Sequence, residues 1–252
     1  MTGFLLIDKP VGPTSHDIVD NVRRKTGEQR VGHAGTLDPF ASGLLIVGIG
    51  REATREMQKL VGLDKTYEAV FVLGATSDTD DITGKIIPIP PSEPLTQERV
   101  QEAIKRFVGE IEQTPPAYSA IKIGGKKMYE AAREGKPIEA KKRKVRVYSV
   151  SNIVIARRNE MTTKQSPRTS EIASASGLAM TIKLSISCSS GTYIRAIARD
   201  LGVALGTGGY VESLRRTKIG PFDISECRDS IFPISAFLSR LYPVKNIASN
   251  VV

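Results

Sequence analysis

Apolar and polar positions along this chain follow two periods. Leu178, Met180, Ile182, Leu184, Ile186 and Cys188 alternate with Thr181, Lys183, Ser185 and Ser187, the period-two pattern of a half-buried strand. Immediately after, Ile194, Ile197, Ala198, Leu201 and Leu205 fall at helical spacing. Near the start, residues 3–8 (GFLLID) read as a short buried strand ending at the turn signal Lys9-Pro10,. Thr14 and Asp17 then form a capping box with aspartate in place of glutamate. The helix they open carries Ile18, Val19 and Val22 on one face and has Gly27 as its C-cap,. Residues 57–62 close another short helix, and residues 67–73 (YEAVFVL) form a β-branched, aromatic strand,. Beyond the Pro-rich IPIPPSEP, Thr96 caps a helix with Val100, Ile104, Phe107 and Val108 on one stripe, and residues 144–156 read as strand,.

These elements are interspersed without regular βαβ repeats, and the clearest strand has one polar face. That combination predicts an α+β fold with a mixed, largely antiparallel sheet flanked by helices and loops, rather than a doubly wound parallel sheet. No internal repeat is visible, and 252 residues suffice for one catalytic domain spanning 1–252,. Residues 158–177 are polar, rich in Ser and Thr and without periodicity, and read as a flexible exposed loop,.

Composition narrows the function. At 40% hydrophobic and 25% charged residues the chain is an ordinary globular sequence,. It has no apolar run of about 18 residues and no basic region ahead of its first apolar stretch, so neither a membrane span nor a secretory signal is expected. Cys188 and Cys227 lie far apart. With only two histidines besides, a zinc site is not expected, and a reducing, cytoplasmic setting is,. Cys188 reads as a small buried hydrophobe. Lysine and arginine outnumber aspartate and glutamate 36 to 27, a net charge of +9. Such an excess favours a polyanionic partner, since phosphate contacts release condensed counterions, although a basic protein without one is equally compatible with charge alone.

The densest unusual segment is residues 30–50, RVGHAGTLDPFASGLLIVGIG. Gly32, Gly35 and Gly43 punctuate a loop holding His33, Thr36 and Asp38, followed by the run LLIVGI, which must be buried. A loop carried by a buried strand is a platform for functional groups. Asp38-Pro39 also has a plain reading as a turn initiator. Two other signals lead nowhere. The acidic stretch at Asp78 starts like a calcium loop but has Thr83 where that loop needs glycine and Ile89 where it needs a bidentate glutamate, so it is an acidic turn,. GIG at 48–50 lacks the rest of a dinucleotide fingerprint.

VGHAGTLDPFASGLL resembles the signature of the bacterial tRNA pseudouridine synthase B (TruB) family. GFLLIDKPVGPTSHDIV, KTYEAVFVLGATSDTDDITG, PPAYSAIKIGGKKMYEAAREG and CSSGTYIRAIARDLGVALGTGGYVESLRRTKIGPF resemble further blocks of that family, in the same order, covering most of residues 1–222. The resemblance implies isomerisation of uridine to pseudouridine at position 55 in the T-loop of tRNA. No cofactor or metal is implied, because the reaction involves no net redox change, hydrolysis or phosphoryl transfer. Asp38 matches the family's catalytic aspartate, acting as nucleophile or as base on the sugar. Arg195 matches the arginine that pairs with that carboxylate and keeps it ionised, with Arg199 one turn on read as a solvated helix arginine.

Tyr67 corresponds to the tyrosine that stacks on the target base. Leu214 resembles an apolar contact to the uracil, and Tyr193 lines the same pocket. His33 matches the histidine occupying the space vacated by a flipped nucleotide, and Lys9 supports the site floor. Lys122, Lys126, Lys127 and Arg143 fall in or beside an RNA-gripping insertion at about 122–144, where phosphate contacts supply position. The partner implied is the tRNA T-stem-loop, with no membrane and no metal, and the chain itself is expected to be a monomer. Many relatives carry a further C-terminal RNA-binding (PUA-type) domain, and with about 30 residues after Phe222 none is expected here,. Rival readings are a tRNA-folding chaperone and a related synthase acting on ribosomal RNA.

Overall fold

The computed structural model describes residues 2–91, 93–136, 138, 140–157 and 179–227. In chain order the elements are β1 (Gly3–Lys9), α1 (Ser15–Thr26), β2 (Val31–Ala34), β3 (Ser42–Ile49), α2 (Gly50–Val61), β4 (Lys65–Leu73), β5 (Ala75–Ser77) and β6 (Ile86–Pro88). There follow α3 (Gln97–Lys105), β7 (Gly109–Gln113), β8 (Lys122–Ile123), β9 (Lys126–Lys127), α4 (Met128–Arg133) and β10 (Arg143–Arg157). The last are β11 (Met180–Cys188), α5 (Ile194–Leu205), β12 (Gly209–Ile219) and β13 (Phe222–Asp223). The α+β class is as expected: the sheet is mixed and largely antiparallel. The described residues divide into two compact units, one drawn from residues 2–65 and 215–227, the other from residues between 66 and 214. None of the described helices is long and apolar enough to cross a membrane.

In the first unit β1 lies antiparallel to β3, from Gly3 opposite Ile49 to Lys9 opposite Gly43. The apolar run of β3 is continuous because both faces are covered. Leu45, Val47 and Ile49 pack with Val19 and Val22 of α1, whereas Leu44 and Ile46 pack with Phe4 and Leu6, and with Ala53 and Leu60 of α2. These five β3 side chains are wholly inaccessible, each contributing up to about 1.5–3 kcal/mol. Gly48 leaves room for Met57, whose methyl carbon would stand 2.2 Å from a Cβ there. α1 starts and stops as its residues dictate. The Thr14 hydroxyl accepts from the Asp17 amide, the Asp17 carboxylate accepts from the Thr14 amide, and Gly27 takes a left-handed φ of 72°. α2 begins at Gly50, earlier than Met57, and packs Ala53 and Leu60, with Met57 and Val61 beside them, against the core.

In the second unit the strand order is β4-β11-β10-β7. β10 and β11 pair antiparallel with two register shifts, and Asn152 in the second takes a positive φ of 52°. Arg143–Arg157 and Met180–Cys188 closely match the expected strands, and Cys188 is buried as expected. α3 ends at Lys105, so Phe107 and Val108 are not part of its stripe. The chain tightens there through i→i+3 bonds from the amides of Arg106, Phe107 and Val108, and Val108 is exposed. The expected loop at 158–177 lies outside the described residues.

Candidate active site

In the first unit the Asp38 loop lies where β3 changes neighbours. β2 pairs with β3 from Val31 opposite Ile49 to Ala34 opposite Ile46, and β12 takes over in parallel with Arg215 opposite Ser42 and Arg216 opposite Gly43. Between them the chain turns out at Gly35 (φ 83°) and returns at Gly43 (φ 107°). The Ala41 amide donates to the Asp38 carbonyl at 3.1 Å, closing the turn that Asp-Pro initiates,. Asp38 itself is half-buried. Both its neighbours are tied to the segment before and at the start of α1. The Ser15 hydroxyl accepts from the Leu37 amide at 2.8 Å and donates to the Leu37 carbonyl at 3.1 Å, and the Gly12 amide donates to the Pro39 carbonyl at 2.8 Å.

Lys9 is wholly inaccessible, its ammonium donating at 2.8 Å to the carbonyls of both Pro10 and Pro13. Burial, the dominant influence, pulls the Lys9 pKa below its usual value. The Arg216 charge adds to that shift, and the Asp38 and Asp17 carboxylates oppose it. His33, on β2, is held below its usual pKa by burial, then by the charges of Arg216 and His16. Its imidazole is therefore neutral at pH 7, and its Nδ1 is buried with no hydrogen-bond partner among the described residues. Asp38, Lys9 and His33 are thus brought to one locality of this unit.

In the second unit Arg195 occupies the second position of α5 and is 3% exposed. Its Nη1 donates to the Thr79 carbonyl at 2.8 Å and its Nη2 to the Tyr118 carbonyl at 2.9 Å, and Nη1 stands 3.4 Å from Asp81 Oδ2. Asp81 is buried too, its Oδ1 accepting from the Thr79 hydroxyl, the Thr83 amide and the Thr83 hydroxyl. Arg199 is not the solvated arginine expected. It ion-pairs with Asp80 and Asp200, both at 2.9 Å, and donates to the Thr114 carbonyl. Burial raises the Asp80 pKa against the pull of Arg199 and Arg195. The acidic turn therefore supplies carboxylates to both arginines of α5, a role that its sequence did not disclose.

The start of α5 is held by Gln113. Its side-chain amide donates to the Tyr193 carbonyl at 3.2 Å and accepts from the Tyr193 amide at 3.1 Å. The Arg143 guanidinium lies 4.9 Å from the centroid of the Tyr193 ring, within cation–π range,. Its Nη2 is buried with no hydrogen-bond partner among the described residues. Tyr67 on β4 and Leu214 on β12 are nearly buried. Of the other basic candidates, Lys122 on β8 is exposed. Lys126 pairs with Glu134, and Lys127 donates to the Tyr129 hydroxyl at 3.0 Å and lies 3.7 Å from Glu130. Ser15, Asp81, Gln113 and Arg216 escaped the sequence reading. Each has a partner 22 or more residues away, and such contacts leave no periodic trace.

A family model described as TruB family pseudouridylate synthase (N terminal domain) matches residues 23–194, and one described as tRNA pseudouridylate synthase B C-terminal domain matches residues 195–230. The tRNA pseudouridine synthase B of Mycobacterium sp. (strain KMS) is 42% identical over 234 residues, 93% of this chain and 71% of that protein. The protein of the same name from Thermobifida fusca (strain YX) is 37% identical over 255 residues, 98% of this chain and 82% of that protein. Among solved structures, a Cbf5-Nop10-Gar1 complex matches with a TM-score of 0.59 at 28% identity, covering 88% of this chain and 50% of that one. An H/ACA RNP bound to a substrate RNA containing 2'-deoxyuridine matches with a TM-score of 0.55 at 26% identity, covering 88% and 48%. The chain spans about half the length of these two structures.

Proposed function

We propose that this chain, which belongs to the TruB family of pseudouridylate synthases, isomerises uridine to pseudouridine at position 55 in the T-loop of tRNA. In that reaction the bond from N1 of the base to the ribose C1′ breaks, the base turns, and C5 bonds to C1′. The C5 proton leaves and N1 gains one, so atoms and electrons balance without an oxidant, a metal or a nucleotide. The observation that carries the reading is the clamped turn under Asp38, with its neighbours tied to Ser15 and Gly12 and a buried lysine beneath it. A carboxylate held in this way enters the reaction already oriented, so little entropy is lost when it meets the sugar or base.

Further roles are assigned on the same reading. Tyr67 stacks on the target base, Leu214 and Tyr193 give apolar contact, and His33 takes the space left by the flipped nucleotide. A neutral His33 suits stacking better than a desolvated imidazolium would. Arg195 is the cation assigned to the reacting carboxylate. Its fork spans two carbonyls and an aspartate, which lysine cannot reproduce,. Arg143, stacked on Tyr193 with one buried nitrogen lacking a partner, and the exposed Lys122 are the basic residues best placed to take RNA phosphates. Lys126 and Lys127 can contribute only by exchanging their carboxylate partners for phosphate. The chain acts as a cytoplasmic monomer.

The test is to incubate the protein with unmodified tRNA and ribosomal RNA transcripts and map pseudouridine by carbodiimide primer extension. A stop at position 55 of the tRNA, missing with Asp38→Asn, supports the assignment. Modification confined to ribosomal RNA, or tRNA refolding without any pseudouridine, replaces it with one of the other two readings.

A further inference from the structure

The buried cation Arg216 has no part in the roles assigned above. Arg216 is 1% exposed, and its side chain runs beneath the Asp38 loop. Its Nε donates to the Leu44 carbonyl at 2.8 Å and its Nη2 to the Gly35 carbonyl at 3.0 Å. Those carbonyls lie at the two ends of the loop, one just before residue 36 and one just after residue 43. The Arg216 backbone meets the second end again. It lies opposite Gly43 in the β12–β3 pairing, so close that a Cβ on Gly43 would stand 2.3 Å from the Arg216 carbonyl oxygen. At the first end a Cβ on Gly35 would stand 3.5 Å from Arg216 Nη1. Both ends are glycines in the left-handed region.

We propose that Arg216 is a positioning residue for the isomerisation, bracing both ends of the Asp38 loop from below so that the carboxylate meets the nucleotide in one orientation. The proposal rests on the reading of Asp38 as the reacting carboxylate. A residue needed only to fill this space would be apolar, since a buried cation is costly. Here two buried cations, Arg216 and Lys9, share a locality with His33, and the Arg216 charge lowers the pKa of both. Such crowding of like charge opposes folding, and it is the arrangement expected where an anion has to be held. Arginine is specified over lysine because its planar fork reaches two carbonyls at once, and an ammonium is a single point charge. The adjacent Arg215 differs in kind: it faces the surface and pairs with Asp8 at 2.6 and 3.0 Å.

The test compares wild type, Arg216→Lys, Arg216→Gln and Asp38→Asn by release of tritium from C5-labelled tRNA under single-turnover conditions. Affinity for tRNA and thermal unfolding are measured alongside. Arg216→Lys is expected to unfold cooperatively and bind tRNA like wild type, yet turn over about a hundredfold more slowly, as expected for a reacting group misplaced by about 1 Å. Arg216→Gln is expected to be slower still. Wild-type turnover in a folded Arg216→Lys overturns the proposal. So does a failure of Arg216→Lys to unfold cooperatively, which makes the arginine a strut of the whole unit. If Asp38→Asn keeps turnover, the reading of Asp38 falls and the proposal falls with it. If Asp38→Asn is inactive and Arg216→Lys is fully active, only the proposal falls.

Discussion

Replacing Asp81 by asparagine removes a charge with almost no change of shape, and its consequences can be worked out from the contacts. Arg195 Nη1 lies 3.4 Å from Asp81 Oδ2, and both side chains are inaccessible apart from a few per cent. Two unit charges at that separation attract by about 5 kcal/mol at an effective dielectric constant of about 20. An asparagine retains the Thr79 and Thr83 bonds through its carbonyl oxygen, which turns its amide towards the guanidinium. The cost of desolvating Arg195 is still incurred while the attraction of Asp81 is gone, so the loss approaches the about 3–5 kcal/mol typical of a broken buried pair. For a chain of this size that is a fall in Tm of about 6–20 °C. Calorimetry of Asp81→Asn, Arg195→Met and the double variant measures the loss and the coupling together. A loss below about 1 kcal/mol, the range of exposed pairs, or strict additivity across the cycle, refutes the reasoning.

Other consequences follow from single contacts. Ser15→Ala leaves the buried Leu37 amide without its partner, so a loss of about 1–3 kcal/mol is expected in urea melts. Slower single turnover at unchanged tRNA affinity should accompany it. Gly43→Ala puts a Cβ 2.3 Å from the Arg216 carbonyl oxygen at a φ of 107°. Strain and overpacking together should cost about 2–6 kcal/mol, and a variant as stable as wild type contradicts the close approach of β12 to β3. His33 binds its proton less readily in the folded chain than unfolded, where its pKa is near 6.5. Its contribution is therefore complete above that pH and declines as pH falls through it. His33→Gln should flatten the dependence of unfolding free energy on pH, by up to about 1.4 kcal/mol per unit below pH 6.5. An unchanged slope in equilibrium melts counts against a depressed His33.

What was legible in the sequence was local. The Thr14–Asp17 capping box, the Gly27 stop and the alternation through residues 180–188 each involve residues a few positions apart, and all three stand in the structure, except that Thr181 on the polar face is buried. The first turns of α2 carry only Ala53 as a buried apolar side chain, among charged neighbours, so its start leaves little periodic signal. Phe107 and Val108 extend the apolar spacing past the end of α3 because a tightened turn follows it. The supports of the candidate site were the least visible. Gln113 grips Tyr193 across 80 residues of chain, and Arg216 reaches Gly35 across 181. Neither residue type announces such a partner, and Arg216 follows an exposed-looking arginine in a basic run. Asp80 and Asp81 were seen as an acidic turn, but their use became plain only when α5 brought Arg195 and Arg199 to them.

The central claim is that Asp38 does the chemistry on a tRNA uridine. Its most direct test is single-turnover release of tritium from a tRNA transcript labelled at uridine C5, comparing wild type with Asp38→Asn at saturating protein. The account predicts one tritium released per tRNA with wild type, and none with Asp38→Asn although it binds the same tRNA and unfolds cooperatively. Release by a folded Asp38→Asn at the wild-type rate would contradict it.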